Sequence, residues 1–420
     1  MSTERPRNAA VTGIGVIAPN GLRTDAYWKS VSEGLSVLDT ITREGCGHLP
    51  LRVAGEVRAF DAADLIEERF LVQTDRFSHY AMAATVLALD DAGLGSAGPE
   101  NPYDVGVITA AGSGGGEFGQ RELQKLWGQG SKFVGPYQSI AWFYAASTGQ
   151  ISIRGGFKGP CGVVASDEAG GLDAIAGAAR GVRRGTGAML VGAAEAPLAP
   201  YSMVCQLGYP ELSTVEDPAR AYRPFTEGAS GFVPAEGGAM LVVEDEHRAR
   251  ERGAEIRALV AGHAATFTGA SQWERSREGL AQAIRGALAE AGCAPEEIDV
   301  VFADALGVPA ADRAEALAIA DALGAHGTRV PVTAPKTGIG RAYCGAPLLD
   351  TAAAVLAMEH GRIPPTPNVF DVCHDIDLVT SNARPAELRT ALVLSRGLMG
   401  SNAALVVRRG GENARSSGRT

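Results

Sequence analysis

The chain has 420 residues, of which 45% are hydrophobic and 20% charged, a composition too apolar for a disordered protein. Gly accounts for 54 residues, almost twice its usual share of about 7%, but the glycines do not follow the three-residue period of collagen. The formal net charge of −10, without a long basic run, argues against nucleic acid or an anionic membrane surface as the main partner. We therefore expect a folded, acidic protein that binds neither nucleic acid nor membranes.

The N-terminal segment and the cysteines indicate the compartment. Residues 1–13 contain no apolar core of a signal peptide, and no stretch approaches 18 apolar residues, so neither a secretory signal nor a membrane span is predicted. The six cysteines include no C-x-x-C pair and the seven histidines stand singly, which predicts neither a disulfide framework nor a metal site. We expect a cytoplasmic protein without a metal or another cofactor.

Short apolar runs alternate with alanine-rich helical stretches along the chain. The spacing predicts a helix over 24–34 and a second helix that ends at 90–94. Five continuous apolar runs are typical of strands covered on both faces: 105–110, 187–194, 237–244, 298–305 and 390–395. This alternation predicts an α/β fold with helices on both sides of the sheet.

The order of these elements repeats. A helix ending in DDAGL (90–94) precedes a strand and a glycine-rich loop, and a helix ending in AEAGC (289–293) precedes the strand IDVVFADA. The chain is also too long for one ordinary core, so a fold of two similar halves is favoured. We place the halves at 1–252 and 253–408, followed by a polar tail, 409–420, that we expect to be disordered.

The glycine-rich loop at 110–120 invites a nucleotide-binding interpretation. Gly114, Gly116 and Gly119 match G-x-G-x-x-G after a strand and before a helix. A dinucleotide site also needs a second strand with an acidic residue about 20 residues further on, whereas the aromatic stretch 133–145 follows here. Nucleotide binding is therefore disfavoured.

The segment 159–185 is the most informative part of the chain. An apolar strand runs into a turn, and a helix rich in small residues begins at once. Glu168 thus stands at a strand-to-helix corner, where a nucleophile would be presented to a helix N-terminus. The alternative is that Asp167 and Glu168 simply stabilise the first turn, because helix N-termini favour anions.

Several segments, in their order and spacing, resemble the thiolase-fold β-ketoacyl synthase family. They are VTGIGVIAPNG (11–21), AYRPFTEGASGFVPAEGGAMLVVE (221–244), IDVVFADALGVPAADRAEA (298–316), VPVTAPKTGIGR (330–341), IPPTPN (363–368) and RGLMGSNAALVV (396–407). Within the family, AWFYAASTGQISIRGGFKGP (141–160) and ASDEAGGLDA (165–174) resemble the chain length factor, or ketosynthase beta, of bacterial type II polyketide synthases. The resemblance covers nearly the whole chain and implies a thiolase fold, in which two pseudo-repeated halves form five layers in the order αβαβα.

The resemblance implies a catalytic pattern that this chain lacks. Condensing members use a cysteine at the helix N-terminus, which takes the acyl chain from an acyl carrier protein, and two histidines that assist decarboxylation. The matching positions here carry Glu168, Asp304 and Arg341, and even chain length factors usually carry Gln at the first of them. A carboxylate cannot form the thioester, and neither Asp304 nor Arg341 offers a neutral imidazole N–H. We therefore expect no condensing activity from this chain alone.

The resemblance also suggests how the altered positions are occupied. We expect Arg341 to pair with Glu168, with Asp304 or with both in a compensated charge cluster. Glu315 and Lys336 match an acid and a lysine of the family, and we expect them to form a structural pair. Both contacts would belong to the framework and not to catalysis.

By the same resemblance, the chain forms a heterodimer with a catalytic ketosynthase alpha subunit and works with an acyl carrier protein. The growing poly-β-ketone extends into a tunnel at the interface, and residues on the helix after the glycine-rich loop close its end. The matching gate positions are Gly116, Gly119 and Leu123, which are smaller than in short-chain members. A long product, decaketide or beyond, is therefore expected.

The partner surface is expected around Trp142, Phe143 and Tyr144, because such an aromatic run would be a liability if exposed to solvent. An internal core helix is the alternative for this run. The basic residues at 180–184 could meet an acidic carrier protein or could simply form a solvated helix end.

Two other functions stay open. The first is a self-sufficient β-ketoacyl carrier-protein synthase, which would need a thiol at a helix N-terminus near a histidine, and the sequence offers none. The second is a scaffold that stabilises its partner without setting product length.

Overall fold

The computed structural model describes residues 7–95, 101–269 and 273–411 of the chain. Its α-helices are α1 Thr24–Ser32, α2 Glu68–Leu71, α3 Arg76–Asp91, α4 Gly116–Gln129, α5 Gln138–Ala141, α6 Ala146–Gly155, α7 Gly170–Arg183, α8 Pro200–Gln206, α9 Glu246–Glu251, α10 Trp273–Ala291, α11 Pro309–Leu323 and α12 Ala346–His360. Its strands are β1 Ala9–Ile17, β2 Asp39–Thr40, β3 Val53–Ala54, β4 Val105–Ala110, β5 Cys161–Val164, β6 Ala188–Glu195, β7 Gly237–Asp245, β8 Ala258–Phe267, β9 Val300–Phe302, β10 Pro331–Thr333, β11 Arg362–Ile363, β12 Asp377–Leu378, β13 Arg384–Pro385, β14 Thr390–Arg396 and β15 Ser401–Arg409.

Eleven of these strands form one mixed sheet, in which ten strands repeat one order in two halves and β12 extends one edge. The order is β12-β10-β9-β14-β15-β8-β1-β7-β6-β4-β5. On one side β4 is parallel to β5 and β6, and on the other side β9 is parallel to β10 and β14. The two half-sheets join where β1 meets β8, through the pairs Ala10 with Leu259 and Val11 with Ala258. The repeat expected from the sequence is therefore present in the strand order.

The helices complete five layers. The helices α7 and α12 contact each other and strands of both half-sheets, so they lie between them. On the outer face of the first half-sheet lie α3 and α6, and on that of the second half-sheet lie α10 and α11. This αβαβα arrangement confirms the thiolase fold expected from the sequence.

The central position of α12 follows from its composition. Every residue from Ala346 to Met358 is buried, because apolar residues lie on all sides of the helix and its one buried charge, Asp350, is paired with Lys336. By contrast, α10 presents a mixed polar and apolar surface, and it covers the outer face of the second half-sheet. The composition of these two helices thus agrees with their positions in the inner and outer layers.

The predicted strand at 298–305, the boundary at 252/253 and the tail at 409–420 compare with the structure as follows. The strand predicted at 298–305 covers only Val300–Phe302, because the N–H groups of Asp304 and Ala305 leave the sheet and bind the carboxylate of Glu315. The boundary expected at 252/253 falls between α9 and β8, and the division into 1–252 and 253–408 stays a prediction. Of the tail expected at 409–420, residues 412–420 lie outside the described residues.

Among the helices of the described ranges, none combines the length and the apolar character needed to cross a membrane.

Candidate functional site

The chain turns sharply at the corner before α7, where the sequence predicts a nucleophile position. The chain leaves β5, adopts a left-handed conformation at Asp167 with φ of 61°, and enters α7 two residues after Glu168. A side chain at Gly171 would meet the backbone of Cys344, so only glycine allows this close approach. The corner therefore depends on the left-handed backbone at Asp167 and on the close approach of Gly171 to Cys344.

The two carboxylates at this corner face the loop between β14 and β15. Glu168 is buried, and its Oε2 accepts a hydrogen bond of 2.9 Å from the N–H of Leu398. The Oδ2 of Asp167 accepts one of 2.6 Å from the N–H of Met399. These carboxylates therefore hold a neighbouring loop, whereas the sequence alternative assigned them to the first turn of α7.

Asp304 lies at the centre of a buried ion cluster. Its Oδ1 accepts a bond of 2.9 Å from Nη1 of Arg341, and its Oδ2 accepts one of 3.2 Å from Nε of Arg396. Arg341 also donates to the carbonyl of Arg396. Both guanidinium groups are fully buried. Arg341 thus pairs with Asp304, and its effect on Glu168 acts through space.

The expected pair of Glu315 and Lys336 was wrong. Lys336 lies 2.5 Å from Asp350, and Glu315 accepts a bond of 2.9 Å from Nη2 of Arg396. Glu315 binds the N–H of Asp304, while Lys336 donates to the carbonyl of the same residue. The two side chains contact different backbone atoms of Asp304. Lys336 pairs with Asp350 and Glu315 pairs with Arg396, so the two do not pair with each other.

Sequence reasoning missed Arg396 and Asp350 as members of this cluster. Arg396 ends β14, directly after the apolar run 390–395, and a cation in a strand that is buried on both faces needs a carboxylate partner. The sequence therefore indicated that Arg396 needs a carboxylate partner. It did not indicate which ones, because Asp304 and Glu315 lie 92 and 81 residues away in the chain.

The pKa values of the two carboxyls Asp304 and Glu168 shift in opposite directions. Burial alone would raise the pKa of Asp304, but Arg341 and Arg396 beside it lower that pKa to about 2. Burial raises the pKa of Glu168 well above its ordinary value, and a hydrogen bond with Asp167 adds to the shift, while Arg341 opposes it. The arginines therefore stabilise the ionised form of Asp304, whereas burial opposes ionisation of Glu168.

The predicted gate positions share one face of α4. A side chain at Gly116 would point at Oγ of Ser202 on α8, 2.1 Å from the ideal Cβ position. One at Gly119 would meet the indole of Trp142 at 3.3 Å. Leu123 is 36% exposed one turn further along the helix. The three residues therefore border the surface that includes Trp142 and α8.

The predicted partner residues lie on this surface and not in the core. Trp142, Phe143 and Tyr144 are 56%, 42% and 40% exposed, so the alternative of an internal helix is wrong. They follow the short helix α5, which contacts α4, and α4 in turn contacts α8. Further exposed apolar side chains extend the patch along and after α8: Tyr201, Val204, Leu207 and Tyr209. A patch of this kind is characteristic of a protein interaction surface.

The basic residues at the end of α7 have mixed environments. Arg183 pairs with Glu290 at 2.8 Å and donates to the carbonyl of Val260 at 3.0 Å, so it joins the two halves. Arg180 and Arg184 are exposed. A docking role for the whole run at 180–184 is therefore not favoured.

Comparison with known proteins identifies the family. The model of the beta-ketoacyl synthase N-terminal domain matches residues 7–249, and that of the C-terminal domain matches residues 257–370. The chain belongs to the beta-ketoacyl synthase family. Together with the αβαβα layers, this match confirms the family expected from the sequence.

Relatives within the beta-ketoacyl synthase family are similar over almost their whole length. A Streptomyces cyaneus protein named polyketide beta-ketoacyl synthase 2 is 78% identical over 97% of both chains. The tetracenomycin polyketide synthase ketoacyl synthase beta subunit of Streptomyces glaucescens is 50% identical over 97% of this chain and 99% of its own. The solved structure of the ishigamide ketosynthase/chain length factor superposes with a TM-score of 0.89 at 28% identity, covering 97% of this chain and 100% of that chain.

A buried carboxyl near the ion cluster, that of Asp312, makes the stability of this beta-ketoacyl synthase family member depend on pH. Burial raises the pKa of Asp312 to about 7, although the N–H groups of Phe225 and Gly307 oppose the shift. An unfolded Asp titrates near about 4, so between about pH 4 and pH 7 the folded state holds a proton that the unfolded state has lost. The contribution of Asp312 to the free energy of unfolding should therefore fall as pH rises through this window.

The variant Asp312→Asn isolates this contribution, because other groups such as His79, whose pKa burial lowers, act in the opposite direction. We expect the free energy of unfolding of the wild type, relative to that of Asp312→Asn, to fall by about 2 kcal/mol from pH 5 to pH 8. Denaturant titrations across that range measure it, with the exposed Asp64→Asn as control. A difference that stays constant with pH would contradict the prediction.

Proposed function

We propose that this chain is the non-condensing, chain-length-setting subunit of a type II polyketide ketosynthase. The observation that carries the proposal is the corner at Glu168. Condensing members need a thiol and two imidazoles there, and this chain has a buried carboxylate beside the pair of Asp304 and Arg341. The names of its relatives, which include a ketoacyl synthase beta subunit and a ketosynthase/chain length factor, support the same role.

A self-sufficient synthase would need another reactive thiol. Cys344 is the cysteine beside the corner, and its S–H donates to the carbonyl of Asp167 at 3.2 Å. Burial raises the pKa of this thiol well above its ordinary value, and Glu195 and Glu168 raise it further. An activated cysteine has a lowered pKa, so this environment disfavours a nucleophilic role.

The partner we propose is a catalytic ketosynthase alpha subunit. Two features support it. The aromatic patch around Trp142, Phe143 and Tyr144 is exposed in this chain. In addition, β5 ends the sheet, so the backbone groups on its outer edge are available to a strand of another subunit.

The gate at Gly116, Gly119 and Leu123 and a long product belong to the same proposal. An acyl carrier protein is the expected source of extender units, and it should load the partner because this chain has no thiol at the corner. The cytoplasmic location remains a prediction from the sequence.

Reconstitution tests the proposal. The chain is co-expressed with its ketosynthase alpha subunit and an acyl carrier protein, and the product mass is compared with that from the same alpha subunit and a chain length factor of a short-chain system. We expect product length to follow this chain, and no condensation when it is supplied without the alpha subunit. Condensation by the chain alone, or a product length independent of which beta subunit is present, would overturn the proposal.

The aromatic patch gives a second expected result. Phe143→Asp should weaken co-purification with the alpha subunit by about tenfold or more, because buried aromatic residues at interface centres contribute about 2 kcal/mol or more each. Phe370→Asp is the matched control, since Phe370 is also an exposed aromatic residue but lies outside the patch. Binding measured by titration should be unchanged for the control, and equal affinities for both variants would refute the assignment of the interface.

A further inference from the structure

The helix that carries the gate has no cap of its own. Gly115 occupies the position before α4 and offers no side chain to its first turn. Gly114 lies in the left-handed region with φ of 66°, and Gly115 and Gly116 follow it directly. Three consecutive glycines give the backbone considerable conformational freedom. Groups from elsewhere in the chain must therefore fix where α4 begins.

Glu195 supplies contacts on one side of this loop. It is the last residue of β6 and is buried. Its Oε1 accepts a bond of 2.6 Å from the N–H of Gly112, and its Oε2 accepts one of 3.0 Å from the hydroxyl of Ser113. The carboxylate thus binds the loop immediately before the three glycines.

Asp75 supplies a contact on the helix side. It is buried at the start of α3, where its Oδ1 accepts a bond of 3.2 Å from the N–H of Phe77. Its Oδ2 accepts a bond of 2.6 Å from the N–H of Phe118, in the first turn of α4. One carboxylate therefore links the N-termini of both helices.

Neither carboxylate belongs to an ion pair within the described ranges. A buried carboxylate without a cation destabilises a fold unless its hydrogen bonds compensate. Burial accordingly raises the pKa of Glu195 to about 7 and that of Asp75 to about 6. For Glu195, the compensating donors include Gly112 and Ser113 of the glycine-rich loop. The buried carboxylate is therefore stabilised by the same contacts that hold this loop.

We propose that Asp75 and Glu195 are positioning residues that hold the start of α4, and thereby fix the place at which the polyketide chain stops growing. The inference rests on the proposed function of α4 as the gate. The loop also links the start of α4 to the partner surface, because the N–H of Gly115 donates to the carbonyl of Trp142 at 3.2 Å. Loss of either carboxylate contact lets α4 shift, so that chains of several lengths fit.

Two variants test the inference in the reconstituted complex, with the distribution of product lengths as the readout. Glu195→Ala removes both loop contacts. Asp75→Ser keeps a hydroxyl to cap α3 but is too short to reach Phe118. We expect both complexes to release a mixture of lengths, with the share of the main product reduced by about twofold or more. A purely structural role would lower the yield of complex and leave this distribution unchanged.

Glu195→Gln is the matched control, because its amide oxygen can accept from Gly112 while its amide nitrogen donates to the hydroxyl of Ser113. It should restore the wild-type distribution. If both test variants give the wild-type distribution while Gly116→Phe shortens the product, the inference fails and the gate stands. If Gly116→Phe also has no effect, the gate itself fails and the inference with it.

Hydrogen exchange covers the case in which a variant complex does not assemble. In the free chain, the amides of residues 112–118 should exchange faster in Glu195→Ala and Asp75→Ser than in the wild type. Unchanged exchange in this segment would overturn the inference.

Discussion

Replacing Gly116 by Phe should shorten the polyketide made with the alpha subunit by one or more two-carbon units. The added ring projects from the gate face of α4 toward Ser202, whose hydroxyl has to move to accommodate it. Since interiors are close-packed, a side chain of this size excludes a comparable length of product. The product mass from the reconstituted complex measures the change.

The local clash at this position can be removed beforehand. The hydroxyl of Ser202 lies 2.1 Å from the ideal Cβ of residue 116, whereas its Cβ lies at 3.5 Å, so a Ser202→Ala background leaves an ordinary contact. Gly128→Phe is the matched control, because it adds the same ring to the same helix at a site with nothing within 4 Å. Equal product lengths from the Gly116 and Gly128 variants would rule out the gate assignment.

Removal of Arg341 should have the largest effect on stability. Arg341→Met deletes the bond to Asp304 and the donor to the carbonyl of Arg396, and it leaves the carboxylate with one guanidinium instead of two. Breaking a buried ion pair costs about 3–5 kcal/mol. We expect the free energy of unfolding, measured by denaturant titration, to fall by that amount.

Two further variants define this result. Arg275→Met, at an exposed position, should change the free energy of unfolding by no more than about 0.5 kcal/mol. Adding Asp304→Asn to Arg341→Met should cost less than the sum of the two single changes, because the carboxylate that lost its partner is also removed. A loss below about 1 kcal/mol for Arg341→Met would show that the cluster does not stabilise the fold as its geometry implies.

The sequence predicted the fold closely because the relevant signals are local. The apolar runs at 105–110 and 390–395 became β4 and β14 with little change in their bounds, and the helix expected at 24–34 became α1. Continuous hydrophobicity indicates burial on both faces wherever the chain goes. By contrast, β9 is shorter than expected, because the N–H groups of Asp304 and Ala305 bind Glu315 instead of a neighbouring strand.

The abundance of glycine, which is evident in the composition, acquires a physical explanation only at particular positions. Gly171 is required where α7 passes the backbone of Cys344, and Gly114 is required by its left-handed conformation. Gly116, in contrast, is replaceable in principle, which makes it a candidate for setting specificity. Composition alone does not distinguish these roles.

The amino-acid sequence by itself determined the α/β class, the two repeated halves and the absence of a thiol at Glu168, because each depends on residue type and order along the chain. Only the tertiary structure decided the partners of the charged side chains. Arg396 meets Asp304 and Glu315 across 92 and 81 residues, and Lys336 meets Asp350 instead of Glu315. Buried charges pair with whichever opposite charge the packing of strands and helices brings within a few ångströms, and sequence distance carries no information about that proximity.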